Sequence, residues 1–404
     1  MSLGDTVAEL ALRRRRLAEQ ELRPSHLHEV TDFGPNPGAL RMLIHTPDLL
    51  PASAALVVVL HGCAQTAEAY AEGAGWLTLA DRYGFVVLAP QQTRSNNPNL
   101  CFNWFQSGDV ARDAGEAASI HEMIGCAVAD HGLDIRRVFV TGLSAGGAMA
   151  NVMLAAYPET FAAGAIIAGI PYGSASNMQE AFGAMGNATR RTPEAWGDAV
   201  RAASAHAGRW PRVSIWQGDS DTTVRPGVAD ELVSQWLDVH GLDDAGGEEV
   251  DLGDGRRRIA WRGADGQAAV ELNRIAGMAH GTPVGAAVLD GDGVDGCGTP
   301  GPYLLEVGIS SSLEIAQAWG LASGGLASDA LAAKGSGARA AKTTGSKAAG
   351  VKTARGAVAD KPAPSNDEGA PVGGIWAGWG LEAGSGGEVG KVITDALRSA
   401  GLLK

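Results

Sequence analysis

Short, unbroken apolar stretches recur along most of the chain and alternate with longer segments of helical period. The stretches are ALVVVL (55–60), GFVVLAP (84–90), RVFVTG (137–142), GAIIAG (164–169) and RVSIWQG (212–218). None alternates apolar with polar, so each predicts a strand covered on both faces, as in a parallel sheet. Residues 114–130, 146–157 and 229–240 instead carry the 3.6-residue apolar period of helices. This alternation predicts an α/β fold with a mainly parallel, doubly wound sheet. Residues 256–276 read as a hairpin turning at Gly263-Ala264-Asp265-Gly266.

The pattern differs at both ends. Residues 3–22 predict an amphipathic helix with Val7, Leu10, Ala11, Leu17 and Ala18 on one side. Residues 322–371 are rich in Ala, Gly, Ser, Thr and Lys and almost free of large apolar side chains, so a flexible linker is expected there. Val389, Val392, Ile393, Ala396 and Leu397 then make one apolar helical face, and Gly401 is a fitting stop. Four ranges follow: an N-terminal helical segment (1–29), a large α/β domain (30–321), the linker (322–371) and a C-terminal segment (372–404).

Composition narrows the function classes. Lys+Arg 32 against Asp+Glu 45 gives a net charge of −13, which argues against nucleic acid as a partner. Arg13–Arg16 read as a solvated helix face. No apolar run reaches the ~18–20 residues of a membrane span. The stretch MSLGDTVAELALRRRRLAEQ lacks an apolar core behind an early positive charge. No secretory signal is therefore expected, and a cytoplasmic location is favoured over an extracellular one. Four cysteines in 404 residues are too few for a disulfide scaffold and lack zinc-ligand spacing.

The candidate chemistry starts at Gly142-Leu143-Ser144-Ala145-Gly146, on the bend between a predicted strand and helix. G-x-S-x-G in that setting is the nucleophile elbow of α/β-hydrolases, whose chain order is Ser, acid, His. Asp219 and Asp221 both follow the strand RVSIWQG, and the spacing favours Asp221, with Asp219 as a turn residue. Among later histidines, His280 follows the strand-like AVELNRIAG in a loop, while His240 ends a helical stretch, where it suits the helix dipole. A serine is a weak nucleophile until a base takes its proton, and the acid fixes the tautomer of that base. Oxyanion donors are expected from the Ala145 amide and, in the HGC turn after ALVVVL, from the Cys63 amide. Trp104 in CFNWF (101–105) and Trp76 are candidates for a substrate groove, with core packing as the equal alternative. Cys63 and Cys101 follow strands that are plausible neighbours, so they either form a disulfide bracing the oxyanion loop or stay as two thiols.

Competing sites are weak. HEMIG (121–125) has Gly125 where a second zinc ligand would stand. LDGDGVDGCG (289–298) has Val294 and Gly301 at calcium-ligand positions. No phosphate-binding or dinucleotide fingerprint is present, so neither a metal nor a cofactor is expected.

Together, NPGALRM, LVVVLHGCAQTAEAY, GFVVLAPQQ, NNPNLCFNWF, GLSAGGAMA, IAGIPYG, WQGDSDTTV, GMAHGTP and GISSSLEIAQAWGL resemble one family. These stretches span about 30–320 and are similar to the esterases related to poly(3-hydroxybutyrate) depolymerases, within the α/β-hydrolases. The resemblance implies a catalytic Ser144, Asp221 and His280 and cofactor-free hydrolysis of carboxylic esters. It also implies feruloyl and acetylxylan esterases as relatives, so it does not fix the substrate. Many relatives carry histidine where this chain has Gln217, a position outside the triad. Polymer-degrading relatives that are secreted carry a signal and a polymer-binding domain, and neither is evident, so soluble esters or short oligomers are expected over crystalline polymer. Two rivals stay open: a non-catalytic binding protein on this scaffold, and an acyltransferase using the same triad with an alcohol other than water.

Overall fold

The computed structural model describes residues 26–186, 191–253, 255–285, 289–290, 293–294 and 297–322. The N-terminal helix of residues 3–22, the linker beyond residue 322 and the C-terminal helix fall outside the described residues, as do most side chains of the 289–298 loop.

Among the described residues, ten strands form one sheet in the order β1-β2-β4-β3-β5-β6-β7-β10-β9-β8. They are β1 (His28–Val30), β2 (Arg41–His45), β3 (Leu56–Leu60), β4 (Val86–Gln91), β5 (Val138–Leu143), β6 (Ala163–Ile167), β7 (Arg212–Gly218), β8 (Glu248–Gly253), β9 (Arg256–Arg262) and β10 (Ala268–Ile275). The block β4-β3-β5-β6-β7-β10 is parallel throughout, and antiparallel strands flank it at both edges.

The unbroken apolar strands are buried on both faces for a simple reason. Successive side chains of a strand point to opposite faces. Leu56, Val58 and Leu60 of β3 enter one core with Val86 and Leu88 of β4, while Val57, Val59, Val87 and Ala89 enter the other. The first core is covered by helices α3 (Gly115–His131), α4 (Ala145–Ala156) and α7 (Gly227–His240). The second lies under α1 (Ala67–Gly73), α2 (Trp76–Tyr83) and α8 (Ser311–Ala318). Helix α3 buries Ala117, Ile120, Ile124 and Ala127, one stripe at helical spacing, and stops at Gly132 in the left-handed region. Two further helices, α5 (Met178–Gly186) and α6 (Pro193–Arg201), lie between β6 and β7.

The predicted hairpin is β9–β10, closed by Gly263 N–H donating to the Gln267 carbonyl at 2.9 Å. Trp76 corrects an expectation: it does not line a groove. It is fully buried in the second core, stacked on Trp319 at 5.8 Å and edge-on to Phe85 at 6.4 Å. A large apolar ring at the start of α2 gains more from that packing than from the surface.

The topology also sets the place of the chemistry. The carboxyl ends of β3, β5, β7 and β10 share one edge of the sheet, where open α/β sheets bind ligands. HGC (61–63), Ser144, Asp221 and His280 all follow those ends.

Candidate active site

Ser144 stands between β5 and α4 with φ 58° and ψ −118°, a conformation that L-residues rarely adopt. Its N–H is held by the Ile167 carbonyl at 2.9 Å, and its carbonyl accepts from Ala148 N–H at 2.8 Å. The bend is this tight because Gly146 lies directly against the backbone of Leu60 and His61, where any Cβ would collide. The glycine of the motif is thus a packing requirement between the elbow and the end of β3.

Asp221 is buried, and every polar contact on its carboxylate is a donor. Oδ1 accepts from Thr223 N–H at 2.8 Å and Val224 N–H at 2.9 Å. Oδ2 accepts from the Gln217 amide at 3.1 Å and faces Nδ1 of His280 at 2.7 Å. An acceptor-only carboxylate on Nδ1 fixes the proton there and leaves Nε2 of His280 as the basic lone pair. Asp219 goes elsewhere: it is exposed and pairs with Arg274 at 3.2 Å. His240 ends α7 with Nε2 3.1 Å from the Pro211 carbonyl, and His121 lies flat on Tyr157 at 4.2 Å. Among the described residues neither contacts the elbow. Among the described residues the Ser144 hydroxyl makes no hydrogen bond, so its partnership with His280 rests on their common sheet edge. Such contacts commonly tighten only when substrate binds.

The HGC turn is held on all sides. Gly62 N–H donates to Gln65 Oε1 at 2.8 Å, and Ala64 N–H to the Asn99 carbonyl at 2.8 Å. Nε2 of His61 accepts from Gln92 N–H at 3.2 Å, so Nδ1 carries the proton and donates to the Gly62 carbonyl at 2.8 Å. Burial pushes the His61 imidazole down to about 4, against the pull of that carbonyl. The Gly62 carbonyl and the Cys63 N–H share one peptide plane, so holding the first aims the second. No acceptor among the described residues takes the Cys63 or Ala145 amide. Both remain available to an oxyanion. Cys63 is disulfide-bonded to Cys101, while Cys126 and Cys297 are free.

Trp104 is buried to 8% exposure, edge-on to Phe105 at 5.3 Å. Sequence reasoning missed Gln65, whose amide also reaches the Pro302 carbonyl at 3.2 Å, and Tyr303, edge-on to His280 at 6.0 Å. Both arise from contacts between distant loops, which no local periodicity reports.

The family model for esterase PHB depolymerase matches residues 43–260. The chain belongs to this esterase family. The esterase is 46% identical over 296 residues to poly(3-hydroxyalkanoate) depolymerase C of Paucimonas lemoignei, spanning 73% of this chain and 70% of that one. It is 34% identical to feruloyl esterase B of Neurospora crassa, over 59% of this chain and 86% of that one. A solved acetyl xylan esterase from Aspergillus awamori aligns with a TM-score of 0.60 and 26% identity, covering 73% of this chain and 99% of that one. The esterase is a carboxylic ester hydrolase of the PHB depolymerase type on an α/β-hydrolase fold. No helix among the described residues is long and apolar enough to cross a membrane.

Proposed function

We propose that the esterase hydrolyses ester bonds of short hydroxyalkanoate oligomers through an acyl-enzyme on Ser144. The observation that carries the mechanism is the buried Asp221–His280 contact at the sheet edge where the strained Ser144 elbow emerges. Nε2 of His280 takes the Ser144 proton as Oγ attacks the ester carbonyl. The tetrahedral oxyanion is held by the Cys63 and Ala145 amides. Its collapse expels the alcohol, which receives the proton from His280. Water then repeats the sequence on the acyl-enzyme and regenerates Ser144. Asp221 stabilises the imidazolium in both halves.

The acyl group is assigned from the resemblance to the Paucimonas depolymerase, the higher of the two sequence identities above. A second reading, an acetyl or feruloyl ester of a plant polysaccharide, is favoured by the fit to the acetyl xylan esterase structure. The Cys63–Cys101 disulfide supports work in an oxidising compartment over the cytoplasm. A panel of 3-hydroxybutyrate dimers and trimers, acetylated xylan and methyl ferulate separates the readings. The oligomers should show the highest kcat/KM, and a preference for either plant ester by tenfold or more would reverse the assignment. Running the panel with an added alcohol and analysing the products tests acyl transfer in place of hydrolysis.

A further inference from the structure

A carboxylate that the chemistry does not use lies buried behind the oxyanion turn. Glu116, in the first turn of α3, is fully buried. The hydrogen-bond partners of its carboxyl all offer hydrogens, while the Asp109 carboxylate stands near enough to repel its charge. Oε1 accepts from the Gln92 amide at 2.6 Å and the Asn96 amide at 2.9 Å, and Oε2 accepts from Asn103 N–H at 2.8 Å. Burial pushes the carboxyl up to about 8, against these donors. No ligand-facing role fits a group so enclosed. The hydrogen bonds of its carboxyl all run to one segment of chain, residues 92–103.

That segment meets the oxyanion turn at three points. The Gln92 amide, while on Glu116, also donates to the Cys101 carbonyl at 3.0 Å. Gln92 N–H fixes the His61 ring, Asn99 accepts from Ala64 N–H, and Cys101 is bonded to Cys63. Ala64 and Leu100, each beside one of the two bridged cysteines, hold left-handed φ values of 60° and 55°. Non-glycine residues keep that conformation only where their surroundings over-determine it.

We propose that Glu116 is a positioning residue for the oxyanion donor, acting through Gln92 and the Cys101–Cys63 bridge to aim the Cys63 amide. The inference rests on the oxyanion role assigned above to that amide. A buried carboxyl gripped by Gln92, Asn96 and Asn103 gives the segment a fixed position, the disulfide transmits it, and the peptide carrying the donor cannot drift. Misplacing one preorganised donor costs rate in the transition state and little in substrate binding.

The test compares the wild type with Glu116→Gln, which keeps the shape but sets an N–H against one of the donors. Active sites are counted by burst titration with paraoxon, so that misfolded protein is excluded. Per titrated site, Glu116→Gln should lower kcat on p-nitrophenyl butyrate about tenfold. KM should be nearly unchanged, and inhibition by a trifluoromethyl ketone, which forms a tetrahedral adduct, should weaken by the same factor. In a Cys101→Ala background the same substitution should have less than half that logarithmic effect, because the bridge is already cut and only the Gln92–His61 and Asn99–Ala64 contacts remain. Should Glu116→Gln not fold, Gln92→Met, which severs the Glu116–Cys101 link, must show the same signature. Unchanged kcat per site in the variant that folds, or a full effect in the Cys101→Ala background, would overturn the proposal. A wild type that paraoxon does not titrate would overturn the serine mechanism on which the oxyanion reading depends.

Discussion

Nδ1 of His280 lies 2.7 Å from Oδ2 of Asp221, although 59 residues separate them in the chain. The contact is a product of strand order. β7 and β10 are parallel neighbours with Gly218 opposite Ile275, so the loops that follow leave the sheet side by side. Gly218 itself lies against the Met278 backbone, where a Cβ would collide, and Ser220 N–H donates to the Met278 carbonyl at 3.0 Å. The two loops are locked to each other before either side chain is considered.

The choice between the two aspartates is testable by exchange of one atom. Asp221→Asn puts an amide against Nδ1 of His280 and favours the wrong tautomer, so kcat should fall by about 10³–10⁴. Asp219→Asn alters only an exposed pair with Arg274 and should stay within about threefold. Steady-state kinetics on a soluble ester compare them, and the reverse ranking would remove Asp221 from the mechanism.

The strained elbow should show in stability. Relief of a left-handed non-glycine conformation is worth about 1–3 kcal/mol, and glycine's extra chain entropy offsets about 0.5–1 kcal/mol of it. Ser144→Gly should therefore be about 1 kcal/mol more stable than Ser144→Ala, both inactive. Urea denaturation midpoints measure the difference, and a less stable glycine variant would contradict the strain.

His61 sets a pH dependence of stability. Its folded value of about 4 is depressed from 6.5. Between those values the unfolded chain binds more protons than the folded one, so stability rises with pH there. The contribution is complete above 6.5 and is lost as pH falls through 4, with an upper limit of about 3 kcal/mol. The stability gap between wild type and His61→Gln should narrow by up to that amount from pH 7 to pH 4. A gap independent of pH would show that His61 is not held neutral.

The two tryptophans should part company. Trp76→Ala leaves a hole between Trp319 and Phe85 and should cost about 3–5 kcal/mol, with unchanged KM for the protein that remains folded. Trp104, which keeps 8% exposure, should instead change KM for oligomers when replaced by alanine. Thermal unfolding and kinetics together read both, and a KM change in Trp76→Ala would restore it to the groove.

The sequence was most informative where a local rule controls the structure. Doubly buried strands such as Leu56–Leu60 announce themselves by composition, and helices α3 and α7 by period and by the glycines that end them. β2, at Arg41–His45, was not read, because its sheet position depends on antiparallel pairing with β4 far along the chain. β8 was not read either: all its side chains are exposed, so burial imprints no pattern on it. In the site, Ser144, Asp221 and His280 were legible from motif and chain order. Gln65 and Tyr303 were not, because their places depend on loop-to-loop contacts rather than on neighbours in sequence. The role of Gln217 was not either: its amide reaches Asp221 only four residues on, but no motif reports that side-chain contact. For Cys63 and Cys101, strand adjacency left bridge and thiols equally open until the two loops were placed together.

The nucleophile is the point on which everything else turns. Wild type and Ser144→Ala, each shown folded by circular dichroism, should be treated with a fluorophosphonate and analysed as intact protein and as peptides. One adduct should form on the wild type, in the peptide containing Ser144, and none on the variant, whose ester turnover should fall by several orders of magnitude. An adduct at another residue, or a folded Ser144→Ala that still turns over ester, would contradict the serine mechanism outright.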